Sequence, residues 1–460
     1  FMQRPLTKEM LSDMRQLLFD GNLAEGNRIA SEFLAGISHS FGSHVPLGDI
    51  KLKFAYPKGD VKEYNRELNL KNAISTVSFK KGKTQYKREY FCSNPADALV
   101  MRFTSSDKKG LNFEMALDLL RESTIKAEGD NISFEGKATF PKQGPGGVNF
   151  AGKVKIVVDG KISTSENKLI VSGASTATIV FDVRTDFDNE KYKASCTETV
   201  DKVLKQNYTT LKNKHIADYS NLFNRVELFL GNDEADSLPT DIRWKRVKDG
   251  KNDVGLDALF FHYGRYLLIA ASRENSPLPA NLQGIWNDNL ACNMGWTNDY
   301  HLNINTQQNY WMANITNLHE CNAPLFTYLE DLSVYGKKTA REIYNARGWT
   351  ANTIANVWGY TTCGGGVNWG LFPCASAWIA SHLWTHYVYT KDIDFLRNQA
   401  YPILKGNAEF FIDYMVEHPT NGYLMTGPST SPENSFKYKG DELSLSMMTT
   451  SDRLLVYEAF

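Results

Sequence analysis

The stretch from Arg273 to Trp311 concentrates side-chain amides and aromatic rings and contains few charged groups. These include Asn281, Gln283, Asn287, Asn289, Asn298, Asn303, Asn305, Gln307, Gln308 and Asn309, with Trp286, Trp296, Tyr300, His301, Tyr310 and Trp311. Amides donate and accept hydrogen bonds, as sugar hydroxyls do, and flat rings suit the C–H faces of a pyranose. A single amide of this kind commonly satisfies loop backbone groups. Burying so many is costly unless each has a partner, so the cluster is interpreted as a pocket wall for a neutral, polyhydroxylated ligand.

Two long runs in this stretch are specific: Leu-Pro-Ala-Asn-Leu-Gln-Gly-Ile-Trp-Asn at residues 278–287 and Asp-Tyr-His-Leu-Asn-Ile-Asn-Thr-Gln-Gln-Asn-Tyr-Trp at residues 299–311. Further runs lie at residues 261–270, 377–387 and 428–434. Together they resemble glycoside hydrolase family 95, the inverting α-L-fucosidases. The resemblance is dense from about residue 215 onward and weaker before it.

Inverting hydrolysis of a glycoside needs a carboxylic acid that protonates the leaving oxygen and a second group that activates water on the opposite face of the ring. Glu433, in Gly-Pro-Ser-Thr-Ser-Pro-Glu-Asn at residues 427–434, matches the position of the family's general acid. The proline and glycine residues of its loop predict a rigid, partly desolvated carboxyl. The alternative is an ordinary surface glutamate. Asn434 is a candidate to hydrogen-bond the carboxyl or the sugar.

The resemblance implies that Asn303 and Asn305 position the attacking water together with an aspartate from a later helix. An amide oxygen is too weakly basic to take the proton alone, so a carboxylate must complete the unit. No residue of this chain matches the motif of that aspartate, and it is expected beyond Phe460. Asp299 is a possible substitute, but capping or orienting the turn before the Asn303 helix is the favoured role for it.

Further candidates lie in and beyond this stretch. His301 resembles the histidine that faces the methyl side of fucose, and a core histidine is the alternative. Trp378 is predicted to stack on a sugar ring at the pocket mouth, with Trp369 as second choice, although either could be core. His382 and His386 are four residues apart, but without a third ligand packing is favoured over a metal site. We therefore expect no metal and no cofactor.

The pattern of apolar residues divides the chain into a strand-rich first part and a helical second part. Residues 1–46 are predicted to be a helical segment within or packed on the N-terminal domain, residues 47–185 a β sandwich, residues 186–240 a helical linker and residues 241–460 a catalytic domain. Six helices are predicted, at residues 253–273, 303–317, 323–346, 375–390, 393–417 and 444–460. Family resemblance implies an (α/α)₆ barrel, of which six helices make the first half. The pattern stops without a cap at Phe460, which indicates a truncated chain, and early strands are expected to be missing at the start.

The bulk composition excludes several classes of protein. A net charge of −1 with 22% charged residues provides no basic field for nucleic acid. The sequence has no run of 18 apolar residues, so no membrane-spanning helix is predicted. The six cysteines form no CxxC pair, and most are interpreted as buried small apolar residues.

The function predicted from these features is release of terminal α-L-fucose, α-1,2-linked as the resemblance implies, from fucosylated glycans with inversion. One alternative is an α-L-galactosidase on the same fold. Another is a carbohydrate-binding fragment or pseudoenzyme that lacks the catalytic aspartate. From the family alone we expect a secreted, periplasmic or cell-surface bacterial protein. Oligomeric state is left open.

Overall fold

The computed structural model describes residues 8–36, 41–139, 146–187, 189–231, 234–286 and 296–460. These residues form two compact units. The helical unit contains the described residues up to His44 together with 267–286 and 296–460, and the β unit contains those between 45 and 266. The limit near residue 266 falls inside a helix rather than in a linker.

The described residues begin with two helices, α1 (Lys8–Phe19) and α2 (Leu23–Phe33). Leu11, Met14 and Leu18 recur on one face of α1 and are buried there. The sequence places residues 1–46 within or on the N-terminal β domain, whereas the structure groups residues up to His44 with the helical unit. Arg15, for example, donates to the carbonyl oxygen of Gly427 at 2.8 Å. A pairing across such a separation leaves no local pattern, which is why the sequence assigns these helices differently.

The β unit is a sandwich of two antiparallel sheets. Its strands are β1 (Gly48–Phe54), β2 (Val61–Asn69), β3 (Ile74–Lys81), β4 (Thr84–Ser93), β5 (Ala98–Ser105), β6 (Leu111–Leu119), β7 (Ser123–Glu128), β8 (Asn131–Lys137), β9 (Asn149–Val158), β10 (Lys161–Ser165), β11 (Lys168–Ala174) and β12 (Thr176–Thr185). One sheet has the order β2-β3-β4-β5-β12-β9-β8-β7 and the other β1-β6-β11-β10. The predicted sandwich is confirmed.

The core of the sandwich lies between the sheets, where Phe103 of the larger sheet packs with Phe113 and Met115 of the smaller one. Ile179 and Val180 are neighbours on β12 and point to opposite faces, as the two-residue period of a strand requires. Ile179 belongs to the central core, and Val180 packs on the outer face.

Four helices follow the sandwich: α3 (Tyr192–Leu204), α4 (Tyr208–Phe223), α5 (Thr240–Lys248) and α6 (Val254–Ala271), with a 3₁₀ turn at Glu234–Ser237. The sequence predicts a helical linker at residues 186–240. In the structure, Val200 and Val203 of α3 and Leu211 of α4 instead bury apolar surface against the outer face of the eight-stranded sheet. This stretch therefore belongs to the β unit, because its helices carry apolar faces that the sheet covers.

The helical unit continues with α7 (Asn305–Ile315), α8 (Ala323–Tyr344), α9 (Val367–Gly370), α10 (Ala375–Thr390), α11 (Ile393–Phe395), α12 (Tyr401–Tyr414) and α13 (Thr450–Ala459), with a 3₁₀ turn at His319–Asn322 and a π-helical turn at Leu396–Ala400. Short strands pair between them: β13 (Tyr300–His301) with β14 (Ile354–Ala355), β15 (Val416–Glu417) with β16 (Leu424–Met425), β17 (Ser429–Thr430) with β20 (Leu445–Ser446), and β18 (Phe436–Tyr438) with β19 (Asp441–Leu443).

Most of the six predicted helices are confirmed within a few residues, but the last one starts later than the sequence predicts. The Thr449 hydroxyl accepts from the Asp452 amide at 3.2 Å and begins α13 there. Residues 444–449 belong to β20 and the turn after it. Among the described residues, each helix is too short or too polar to cross a membrane.

Candidate functional site

His301 lies on a short and well-supported strand of the helical unit. It pairs with Ile354 across β13 and β14, and the next amide, that of Leu302, donates to the Thr353 carbonyl at 2.6 Å. The neighbouring Tyr300 is fully buried, with its ring centroid 4.5 Å from that of Tyr328. The backbone under His301 is therefore rigid, and the His301 side chain keeps 16% of its surface exposed.

Asp299 contacts His301 rather than the helix that follows. Its Oδ1 lies 3.0 Å from His301 Nε2, which is within ion-pair distance, although the angle between the groups does not suit a hydrogen bond. The Asp299 side chain is 2% exposed. Its Oδ2 accepts from the Thr297 hydroxyl. The sequence favours Asp299 as a group that caps or orients the turn before α7, but the N-cap is Ile304 and no side chain caps that end. The geometry instead makes Asp299 an orienting partner of the imidazole.

Asn303 and Asn305 lie at the N-terminus of α7. The sequence predicts a helix from residue 303, whereas α7 begins at Asn305 and leaves Asn303 in the turn before it. The turn is held from within, because Gln307 Nε2 donates to the Leu302 carbonyl at 2.6 Å. The Oδ1 atom of Asn303 is buried and accepts no hydrogen bond from the residues that the structure describes.

This unpaired oxygen is one of a group in the amide-rich stretch. Apart from the Asp299 Oδ1 that faces His301, five buried side-chain oxygens have no hydrogen-bond partner among the described residues: those of Gln283, Asn298, Asn303, Thr306 and Gln307. Each such atom costs about 1–3 kcal/mol when left unsatisfied. Polar atoms left unpaired inside a protein commonly mark a place where water or a ligand binds. Their concentration supports a polar binding wall.

Other amides in the stretch form hydrogen bonds with loop backbone groups, which is the alternative role considered for them in the sequence analysis. Asn309 Nδ2 donates to the backbone carbonyl of Asn281 at 2.9 Å, and Asn281 Oδ1 accepts from the backbone amide of Gln283 at 3.0 Å. Asn287 and Asn289 lie outside the described residues. The cluster therefore divides into two subsets: one fixes the loops, and the other contains buried oxygens without a hydrogen-bond partner among the described residues.

Glu433 lies in a loop of residues 427–434, hereafter the acid loop. The loop is held firmly, since Thr430 pairs with Leu445 and the Asn434 amide donates to the Ser431 carbonyl at 2.7 Å. Both Glu433 and Asn434 are exposed. The rigidity predicted from the sequence is thus present, whereas the predicted partial desolvation of the carboxyl is not, because no described element covers the end of the loop.

The acid loop and the His301 strand converge on the short helix α9. Thr430 donates through its hydroxyl to the Asn368 carbonyl at 3.0 Å and through its amide to the Leu371 carbonyl at 2.9 Å. Thr353, which accepts from Leu302, donates through its hydroxyl to the Trp369 carbonyl at 2.8 Å. Both segments are therefore anchored within about one helical turn of each other.

The two tryptophans proposed for stacking have different surroundings. Trp378 at the start of α10 is half-buried, and its ring centroid lies 6.5 Å from that of Trp311, which is about half exposed. Trp369 packs against the buried cluster of Phe41, Ile354 and Tyr360. A sugar-stacking surface therefore fits the Trp311 and Trp378 pair better, and Trp369 is part of the core around α9.

His382 and His386 are packed rather than arranged around an ion. His386 sits between the rings of Phe326 and Phe395, and its Nδ1 lies 3.2 Å from Asn314 Oδ1. Burial lowers the pKa of each of the two histidines to about 4. Within the described ranges, no group of three His, Cys, Asp or Glu side chains is placed to hold a metal ion. Cys196, Cys321, Cys363 and Cys374 are buried, as predicted.

His382 should make the stability of the fold depend on pH. Because its pKa falls from 6.5 to about 4 on folding, the unfolded chain binds the proton first between these values. The free energy of unfolding should therefore decrease as the pH falls from 6.5 towards 4, by about 3 kcal/mol in total from this residue. Urea unfolding at pH 7 and pH 4.5 should show a smaller decrease for His382→Leu than for the unsubstituted chain. An equal decrease in both proteins would show that His382 does not contribute.

Asp452 is a residue of the site region that sequence reasoning missed. It is fully buried under the acid loop, where its carboxylate accepts from the hydroxyls of Thr426, Ser429 and Thr449 at 2.9–3.0 Å. Burial raises the pKa of this carboxyl. The pattern Thr449-x-x-Asp452 is a helix-start signal that could have located it. No comparable signal exists for Arg15, whose partners are hundreds of residues away.

Two family sequence models match nearly the whole chain. The model described as "Glycosyl hydrolase family 95 catalytic domain" matches residues 207–460, and that described as "Glycosyl hydrolase family 65, N-terminal domain" matches residues 2–190. These matches define the class of protein as a glycoside hydrolase. Since the catalytic-domain model covers more than half of the residues, the chain belongs to glycoside hydrolase family 95.

Similar proteins agree with this assignment. "Alpha-L-fucosidase 2" of Arabidopsis thaliana is 33% identical, with 98% of this chain and 57% of that protein covered. "Probable alpha-fucosidase A" of Aspergillus niger is 31% identical, with 92% and 55% covered. The chain thus spans little more than half the length of these relatives. Among solved structures, a "Putative kojibiose phosphorylase from human microbiome" has a TM-score of 0.60 at 11% identity, with 86% of this chain and 53% of that one covered, which shows a shared fold.

Proposed function

We propose that the chain carries the acid and water-positioning groups of an inverting α-L-fucosidase that releases terminal, α-1,2-linked fucose from glycans. The observation that carries the proposal is the group of buried side-chain oxygens without a hydrogen-bond partner in the amide-rich stretch, in a chain of family 95. A hydroxyl-rich sugar and its attacking water supply the donors that these oxygens lack. The names of the plant and fungal relatives support fucose as the sugar.

In this mechanism Glu433 protonates the departing glycosidic oxygen. Its exposure allows it to reach a bound substrate, and the anchored acid loop limits the directions in which it can point. Asn303 and Asn305 hold the water on the opposite face of the ring through their amide groups. The resemblance assigns the proton-accepting carboxylate to an aspartate that none of these 460 residues matches, and Asp299 is occupied with His301 and Thr297.

The first test combines the mass of the protein purified from its source with an assay of fucose release from a 2′-fucosylated oligosaccharide. Release by a protein well above 51.9 kDa would support a fucosidase that includes this chain and a downstream base. A mass of 51.9 kDa without release, together with fucose binding by calorimetry, would support the non-catalytic alternative instead. Proton NMR of the freshly released sugar tests inversion, because the β anomer must appear first.

His301 should determine the preference for fucose over L-galactose. L-galactose carries a hydroxymethyl group where fucose has a methyl group, and an imidazole edge beside that group would leave little room for the additional hydroxyl. His301→Thr is expected to shift the kcat/KM ratio of fucoside to galactoside towards galactoside by about 10–200-fold. Matched chromogenic fucoside and galactoside provide the measurement, with His319→Thr, a partly exposed histidine elsewhere in the helical unit, as control. An unchanged ratio would show that His301 does not face the methyl group.

We further propose that the helices from α6 onward form the first half of an (α/α)₆ barrel. The fold shared with the kojibiose phosphorylase and the six principal helices support this arrangement. Secretion, or a periplasmic or cell-surface location in a bacterium, stays a prediction, and the relatives named above are plant and fungal proteins.

A further inference from the structure

Described residues near the start of the helical unit touch the segments that carry the proposed site. This N-terminal segment (residues 8–36 and 41–44) contacts the acid loop, its paired strand β20, the loop before α9 and the segment that precedes His301. All of these contacts lie within the helical unit. They are unusual because each joins chain regions separated by more than 250 residues.

Arg15 of α1 holds the beginning of the acid loop. Its Nε donates to the Gly427 carbonyl and its Nη2 to the Tyr414 carbonyl, both at 2.8 Å. The guanidinium group lies 5.0 Å from the centre of the Tyr414 ring, and the Tyr414 hydroxyl donates to the Pro428 carbonyl at 3.0 Å. The first two carbonyl groups of the loop are thus held by Arg15 and by the tyrosine against which Arg15 packs.

Asn27 of α2 holds the other side of the loop. Its Nδ2 donates to the Leu445 carbonyl at 3.1 Å, and its Oδ1 accepts from the Leu445 amide at 2.9 Å. Leu445 is the residue of β20 that pairs with Thr430 in the acid loop. Asn27 therefore fixes the strand on which the loop rests.

The end of the N-terminal segment reaches the opposite part of the proposed site. The Gly36 amide donates to the Gly364 carbonyl at 2.9 Å in the loop before α9. The His44 amide donates to the Asn298 carbonyl at 2.6 Å, and the Ser43 hydroxyl accepts from the Asn298 amide at 2.8 Å. One continuous stretch of chain thus connects the acid loop with the segment that leads to His301.

We propose that the N-terminal segment, through Arg15 on one side and Asn27 on the other, positions the acid loop so that Glu433 can protonate the leaving group. Arg15 and Asn27 are positioning residues, because they act on Glu433 through the backbone of its loop. The inference rests on the proposed function of Glu433. Misplacement of a catalytic group by about 1 Å can cost about 10²-fold in rate, so loss of either anchor has a measurable effect.

The experiment compares two substrates that differ in their need for an acid. A fucosylated oligosaccharide requires protonation of its leaving oxygen, whereas α-L-fucosyl fluoride releases a weakly basic fluoride that needs no proton. Arg15→Met and Asn27→Ala are assayed on both substrates in the natural-length protein. Arg28→Met is the matched control, since Arg28 lies on α2 and pairs only with the exposed Glu25 and Glu32 among the described residues. Glu433→Gln is the reference for loss of the acid.

We expect Arg15→Met to lower kcat on the oligosaccharide by about 10–100-fold, with little change in KM or in hydrolysis of the fluoride. Asn27→Ala should also lower kcat on the oligosaccharide selectively, but by a smaller factor. If Arg15→Met does not fold, the comparison is made with Asn27→Ala alone. An equal loss on both substrates would overturn the inference, because general destabilisation lowers both rates alike. If Glu433→Gln itself shows no selectivity between the substrates, the assignment of the acid fails. If Glu433→Gln is selective and neither anchor variant is, only the positioning role fails.

Discussion

Glu433→Gln is expected to lower kcat for a fucosylated oligosaccharide by about 10²–10⁴-fold. The glutamine side chain keeps the shape of glutamate, but it has no acidic proton for the departing oxygen. Because Glu433 is exposed and the acid loop is anchored through Thr430 and Ser429, the substitution should leave the fold intact. The loss therefore reports on chemistry rather than on stability.

The measurement is kcat and KM over a range of pH, together with the thermal midpoint of unfolding. The variant should lose the alkaline decline in kcat that an essential acid produces. Glu417→Gln is the matched control, since Glu417 is an exposed carboxylate on β15 of the same unit. A kcat within the scatter of the unsubstituted enzyme would remove Glu433 from the mechanism and leave the protonation step without a candidate in this chain.

The second large effect is expected for Asn303→Ala, with a decrease in kcat of about 10²-fold. The Oδ1 atom of Asn303 is buried and lacks a donor among the described residues. In the function proposed above, this oxygen accepts a hydrogen bond from the attacking water and fixes its direction. Alanine removes this acceptor and lets the water rotate away from its line of attack. KM should change less than kcat, because the sugar keeps its other contacts.

Gln308→Ala provides the control for Asn303→Ala. Gln308 is an exposed amide on α7, and its removal should leave both kinetic constants unchanged. Equal effects of the two substitutions, or a rise in KM with kcat unchanged for Asn303→Ala, would show that Asn303 binds the sugar or supports the fold rather than holding the water.

Elements with strong periodicity could be predicted from the sequence. α8 and α10 begin at the predicted residues, because their apolar faces repeat at helical spacing over sixteen residues or more. Sandwich strands such as β6 and β8 alternate between buried and more exposed residues in a similarly regular way. The start of α13 was misplaced because a single capping hydroxyl, that of Thr449, determines it.

The site itself was predictable in residue types but not in contacts. The density of amides indicates a polar wall, yet only the fold separates Asn309, which supports a backbone carbonyl, from Asn303, whose oxygen stays unpaired. The sequence likewise cannot show that Asp299 faces His301. An aspartate just before a helix fits the local pattern equally well as a substitute base and as a group that caps or orients the turn. Non-local pairings decide such questions, and they leave no trace in spacing.

The large sequence separation between Arg15 and its hydrogen-bond partners also affects the order in which the chain folds. Arg15 and Gly427 are 412 residues apart, so α1 and α2 leave the ribosome long before their partners exist. α1 can pack against α2 as soon as both are made, but Arg15 lacks its carbonyl partners until residues 414 and 427 follow, while the β unit can already close its own core. Docking of the first helices is therefore a late event in folding, and closing so long a loop is slow. A nascent chain that stops before Gly427 would lack this anchor of α1, so its first helices would be held less firmly.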